Sequence, residues 1–286
     1  MAKPSAALLL LAVAATAHAE WAIRSAELEP GHIGVVHRHV VLENGSSREQ
    51  AVIDLAIFSP KSCTLRVVNN QAGEPLAAAM SRDKCIAGVN GGYFSPDFRP
   101  IGLLISDGKL VAPLQHARLI SGILSASTGG VRILRVREFS RREKVNTAVQ
   151  CGPFLVDHYE RVRGLDDSRA ARRTFAATGT NDRALLGVSS EISLAELAAI
   201  LDTARLADDF KIQRALNLDG GSSSAFWFAR ENGSAFSIHE EKPVRDFVGV
   251  MPNKNCHVLL SEMFRFAQYD GGRSLNAHVW RIQIRQ

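Results

Sequence analysis

Four cysteines in 286 residues is a small number, and none falls in a C-x-x-C spacing. That argues against a structural zinc site, whose ligands come in such close pairs. Aromatic residues make up only 7% of the chain, and none interleaves with its basic clusters. A nucleic-acid-binding reading therefore has no motif to rest on. After the first 20 residues no apolar run is long enough to cross a membrane as a helix. Pro- or Ser-rich linkers are missing, which favours a single domain. The G-x-S-x-G, H-E-x-x-H and P-loop signatures are absent as well, so three common hydrolase layouts drop out.

What is present begins with the N-terminus. Lys3 precedes an apolar segment from Ala6 to Ala15, and Ala17-His18-Ala19 follows as an A-x-A cleavage site. Residues 1–19 thus read as a signal peptide, cleaved near Ala19, and the mature chain is expected to be secreted or periplasmic. Residues 20–47 are polar and mixed and read as an N-terminal extension, 48–262 as the domain, and 263–286 as an irregular tail. In an exported chain four cysteines permit two disulfides, with buried thiols as the other reading. Cys63 and Cys85 each open a short apolar run and are the favoured pair if those runs are neighbouring strands. The net charge is +5, with basic clusters from Arg132 to Lys144 and from Arg161 to Arg173. Such clusters are either solvated faces or the mark of an anionic substrate.

The apolar patterning is mostly that of strands. Runs at 51–58, 63–68, 85–89, 148–156 and 214–218 are candidates, and "SGILSASTGGVRILRV" reads as further strands. Asp107-Gly108, Asn181-Asp182 and "ENG" at 231–233 are expected hairpin turns. "PVRDFVGVM" and "CHVLLSE" read as closing strands. Two helices are expected. One lies in 73–84, with Pro75 in its first turn; the other is "LAELAAIL", opened by a Ser193/Glu196 capping box. These elements predict an α+β fold, with mixed or antiparallel sheets, a few packed helices and a single domain.

One pattern occurs twice: helix, strand, then a short polar residue and two glycines. The first copy ends in Asn90-Gly91-Gly92 and the second in Asp219-Gly220-Gly221. Asn-Gly and Asp-Gly are also ordinary turn dipeptides. Their repetition after buried strands points instead to strand ends where a ligand reaches bare backbone. Asp219 can then serve as a general acid or base, as a metal ligand or as the orienter of a turn. Ser222, Ser223 and Ser224 can donate to phosphate or hydroxyl groups.

"VNGGYF…PIGLLISDGK", "AVQCGPFLV", "RRTFAATGTNDRALLGV", "SLAELAAIL" and "ALNLDGGSSSAF" stand in this order. Together they resemble the phosphodiester glycosidase domain family, across roughly residues 48–250. The resemblance implies a hydrolase of sugar phosphodiesters. It carries substrate binding onto Asn90, Gly91, Gly92, Arg173, Thr174, Gly220, Gly221 and Ser222, and catalysis onto Asp219, with Asp182 as a second carboxyl. Ser222 stands where the family commonly has a third glycine, and Lys242 where it usually has arginine. A divalent cation is an open cofactor, with Asp219 and Asn90 as oxygen ligands. The partner is an anionic sugar phosphodiester or polysaccharide. Two alternatives remain at this stage: a non-catalytic exported polysaccharide-binding protein, and a phosphodiesterase that breaks the P–O bond.

Overall fold

The computed structural model describes residues 21–140, 142–203, 205–206 and 210–253. The expected signal peptide, the tail, Cys256 and the "CHVLLSE" strand lie outside the described residues. Among those described, eighteen strands and two α-helices build three sheets, and every strand pair is antiparallel. The α+β expectation is thus corrected to a mostly-β fold. Its error came from residues 21–47. Trp21–Pro30 and Val36–Asn44 are long strands at one edge of the largest sheet. In the first, residues 24–28 are all exposed, Leu28 among them, and in the second the polar His37, Arg38 and Asn44 are buried, so neither shows the apolar alternation that marks a strand in the sequence.

The largest sheet has eight strands and runs from that edge through Gln50–Phe58, Arg183–Ile192, Ala171–Gly179 and Ile212–Asn217 to Phe154–Asp157 and Glu160–Arg161. A second sheet of five strands centres on Thr147–Cys151. A third, also of five, has the order Ala235–Ile238, Phe226–Ala229, Ala87–Asn90, Asp246–Pro252, Cys63–Asn69. The expected strand 148–156 is broken at Gly152-Pro153, where the chain passes from the second sheet to the first.

The main core lies where the three sheets face one another. Phe58, Leu186 and Leu216 come from the first, Leu104, Leu124 and Val149 from the second, Val89, Phe226 and Val248 from the third. The outer face of the first sheet packs on the helix Leu194–Thr203. Its capping box forms as expected: Ser193 N donates to Glu196 Oε2 (2.8 Å) and Glu196 N to Ser193 Oγ (3.1 Å). The helix Leu76–Arg82 covers the outer face of the third sheet through Leu76, Met80, Trp227 and Phe247.

Strand alternation then decides which side chains can reach the centre. In Ala171–Gly179, Phe175 and Ala177 join the helix-side core and Ala176 the central one. Thr174 shares the side of Ala176 and points inward, while Arg173 shares the side of Phe175. In Asp246–Pro252, Val248 and Val250 are in the central core, so Asp246 lies on their face.

The proposed disulfide does not form. Cys63, Cys85 and Cys151 are buried thiols. The strands following Cys63 and Cys85 are not neighbours, because Asp246–Pro252 is inserted between them. Burial pushes the Cys85 thiol up to about 12, which leaves it unreactive.

Candidate active site

The two glycine-bearing strand ends belong to different sheets and meet. Leu218 N donates to Thr174 O (2.8 Å), and Asp219 N donates to Gly91 O (3.0 Å). Asn90 completes the seam. Its Nδ2 donates to Asp219 O (2.8 Å), and its Oδ1 accepts from Thr174 Oγ1 (2.6 Å) and Ala225 N (3.1 Å). Asn90 is fully buried, and these are the hydrogen bonds its side chain makes. Replacing Asn90 with alanine is expected to strand three polar groups and cost about 3 kcal/mol. In a chain of this size that should lower the melting temperature by roughly 10 °C. A thermal melt checks it, and an unchanged midpoint would mean that the seam is held by other contacts.

Gly91 is glycine for a steric reason. A Cβ there would stand 2.0 Å from Asp246 Oδ1. The Asp246 carboxyl thus fills the space under the turn: Gly92 N donates to Asp246 Oδ1 (2.8 Å) and Gly91 N to Asp246 O (2.8 Å). Its Oδ2 is buried and has no hydrogen-bond partner. Burial pushes this acid up to about 7. The Gly92 N–H and Arg245 hold it down, and Asp219 pushes it further up.

Asp219 is the exposed member of the pair, half-buried at the mouth of the seam. Gly220 N donates to its Oδ1 (3.0 Å). Burial raises its pKa, against the hydroxyl of Ser223, the Gly220 N–H and the Lys242 ammonium. The chain then turns at Gly221, whose φ of +64° favours glycine. The Gly221 and Ser222 N–H groups take no part in the backbone bonds that hold this turn. Glu241 N donates to Ser222 O (2.8 Å) and ties down the neighbouring loop. That loop brings in Lys242, which sits 5.4 Å above the Phe94 ring. Arg172 joins it through Glu241 (3.1 Å). On the far side Tyr93 OH donates to Gly152 O (2.7 Å) and accepts from Asn217 Nδ2 (3.0 Å). Burial raises the phenol strongly, so it stays protonated.

Of the residues singled out from the sequence, Asn90, Gly91, Gly92, Thr174, Asp219, Gly220, Gly221 and Ser222 converge here. Arg173 comes close but turns away. Its Cδ is 3.9 Å from where a Gly220 Cβ would lie, yet its Nε donates to Ile192 O (2.9 Å) and its Nη2 to Arg169 O (2.5 Å). In this arrangement it fastens the helix-side loop. Asp182 is not brought to the site. It is exposed at the opposite end of the hairpin, on the order of 20 Å away along the strand, and pairs with Lys61 (2.7 Å). A divalent ion shared by Asn90 and Asp219 does not fit either, since Asn90 Oδ1 already accepts two hydrogen bonds. Asp246 went unnoticed in the sequence. The one available signal was a charged residue at the head of the apolar run "DFVGVM".

The site is thus a seam of two glycine turns, with one half-buried acid, a second acid fully buried behind it and a fringe of cations. The model of the phosphodiester glycosidase family matches residues 83–251, and the chain belongs to that family, a family of hydrolases. No curated protein sequence matches it. Among solved structures it is similar to a hypothetical protein from Synechocystis (TM-score 0.57, 15% identity, 77% of this chain and 62% of that one). The chain thus spans less than two thirds of that structure. It is also similar to the zebrafish N-acetylglucosamine-1-phosphodiester alpha-N-acetylglucosaminidase catalytic domain, auto-inhibited by its pro-peptide (TM-score 0.55, 16% identity, 82% and 83% covered). At these identities the likeness is one of fold.

Proposed function

We propose that this chain is an exported hydrolase that cleaves the sugar C–O bond of a sugar phosphodiester in an envelope or extracellular glycan. The observation that carries this reading is the half-buried carboxyl of Asp219, raised by burial, at the junction of the two glycine turns. Asp219 takes a proton from water as the water oxygen bonds to the anomeric carbon. The phosphate monoester leaves with the electron pair of the broken C–O bond. Glycosidases ordinarily use a second carboxyl to protonate the leaving oxygen. A phosphate is already a stable anion, so it makes a smaller demand for that proton. This suits a site in which a single half-buried carboxyl, Asp219, stands at the junction of the two turns. The Gly221 and Ser222 amides and Lys242 hold the phosphate. Asp246 positions the Gly91-Gly92 turn from below. Export rests on the residue 1–19 pattern. No helix among the described residues is long and apolar enough to cross a membrane.

Hydrolysis of a sugar 1-phosphodiester in ¹⁸O-labelled water tests the reading. The label is expected in the sugar. Label in the phosphate would make the chain a P–O phosphodiesterase. Binding without turnover would make it a polysaccharide-binding protein.

A further inference from the structure

The sequence singled out the basic cluster that begins at Arg132, and the candidate active site does not use it. The fold gathers part of that cluster with a second segment, residues 116–121, around a separate cavity of about 350 Å³. Its wall carries His116, Arg118, Ser121, Arg135 and Arg137, and no acidic residue. The acids nearest in the chain are already committed. Asp157 takes two donors from Arg135 and an ion pair from Arg214 (3.0 Å). Glu138 is paired with Arg214 and held down at about 2. Among the described residues no acidic partner faces Arg118, Arg137 or His116. Two guanidinium groups are therefore left uncompensated beside one concave wall, where their fields add.

The wall is built rather than incidental. Fully buried Gln150 clamps the segment: its Nε2 donates to Gln115 O (2.6 Å) and Ile120 O (2.9 Å), and its Oε1 accepts from Gln115 N (3.1 Å) and Leu103 N (2.8 Å). Val136 N donates to Ser121 O (3.1 Å), joining the two basic segments. The same segment abuts the active site. A Cβ at Gly152 would stand 2.4 Å from Leu119 O and 3.0 Å from Ser121 N. The carbonyl of Gly152 receives Tyr93 OH and Asn217 Nδ2, and Asn217 lies two residues before Asp219. In that segment Leu119, whose carbonyl lies against Gly152, is 74% exposed, an apolar surface over which a sugar ring can lie.

We propose that this cavity is a second anion subsite, which binds the next phosphate of a repeating sugar-phosphate polymer whose scissile phosphodiester lies at Asp219. The proposal rests on the phosphodiester glycosidase reading and narrows its substrate class from a single diester to a polyanionic chain. Arg118 and Arg137 hold the distal phosphate in their planar forks. Neither touches the reacting atoms, so they act on affinity for the polymer and leave the chemistry alone.

The test compares the full chain with the Arg118→Ala/Arg137→Ala double variant and with a charge-matched control, Lys61→Ala/Lys84→Ala. Each is assayed on a small sugar phosphodiester and on a sugar-phosphate oligomer of four or more units. The double variant is expected to raise KM for the oligomer at least tenfold and to weaken its salt dependence, with the small substrate within twofold of wild type and the control unchanged. Equal loss on both substrates, or equal loss in the control, overturns the subsite. Calorimetric binding of the same oligomer separates this proposal from the catalytic reading. Binding that the double variant weakens tenfold supports the subsite even where no turnover occurs. An oligomer that does not bind wild type, or that binds both proteins alike, overturns it. A carboxylate-bearing polysaccharide that binds as tightly as the sugar-phosphate oligomer overturns the phosphate assignment.

Discussion

Replacing Asp219 with asparagine is expected to lower turnover of a sugar phosphodiester by at least about a hundredfold, the usual cost of losing a general base, while leaving the protein folded. Asparagine has the same outline, and its Oδ1 can still accept the Gly220 N–H that Asp219 Oδ1 holds at 3.0 Å. The backbone bonds of residue 219 to Gly91 and Asn90 do not involve the side chain. The pH profile is informative too. The base form of Asp219 prevails only above its raised pKa, so the acid limb of kcat should lie above the ordinary aspartate value of 3.8. In the asparagine variant the residual rate should lose that limb. Near wild-type turnover in this variant, with an unchanged thermal melt, would reduce Asp219 to a turn residue.

Asp246→Asn should act on stability, and its effect should depend on pH. In the unfolded chain this carboxyl ionises near 3.8, and in the fold near 7. Between those values the unfolded state gives up a proton that the native state keeps. The contribution of Asp246 to stability is therefore fully present below about pH 4 and is lost as pH rises through 7. The full span is up to about 4 kcal/mol at 1.36 kcal/mol per pKa unit. Asparagine is neutral at every pH and can keep the Gly92 N–H bond. The variant should match wild type at pH 4 and melt higher at pH 8, by roughly 5–15 °C. Lower melting at pH 8 would show that the native protein holds Asp246 ionised and compensated.

Both acids carry the argument, yet only one was legible in the sequence. Asp219 announced itself because it repeats a pattern: a buried strand, a short polar residue and two glycines, as at Asn90. The fold brings the two copies together at the seam, where Asp219 N meets Gly91 O. Asp246 has no such marker. What makes it special is that the sheet buries it beneath Gly91, and that contact joins residues far apart in the chain. Asp182 is the opposite case. Its motif is real, but the motif is a turn, and the hairpin carries the turn away from the site. The Cys63–Cys85 expectation failed on the same kind of information, since nearness in sequence did not foretell the strand inserted between theirs. Strand alternation explains Arg173, which neighbours Thr174 in sequence but faces the helix side.

That inserted strand has a bearing on how the protein is made. Asp246–Pro252 is central in its sheet, between Ala87–Asn90 and Cys63–Asn69, yet it is synthesised long after both. On the ribosome, at roughly 5–20 residues per second, two apolar strand edges wait unpaired for on the order of ten seconds or more, open to pairing with other chains. The nascent chain therefore depends on being shielded during that interval. It also lacks the floor under the Gly91 turn until residue 246 has emerged, so the seam of the candidate site cannot assemble before then.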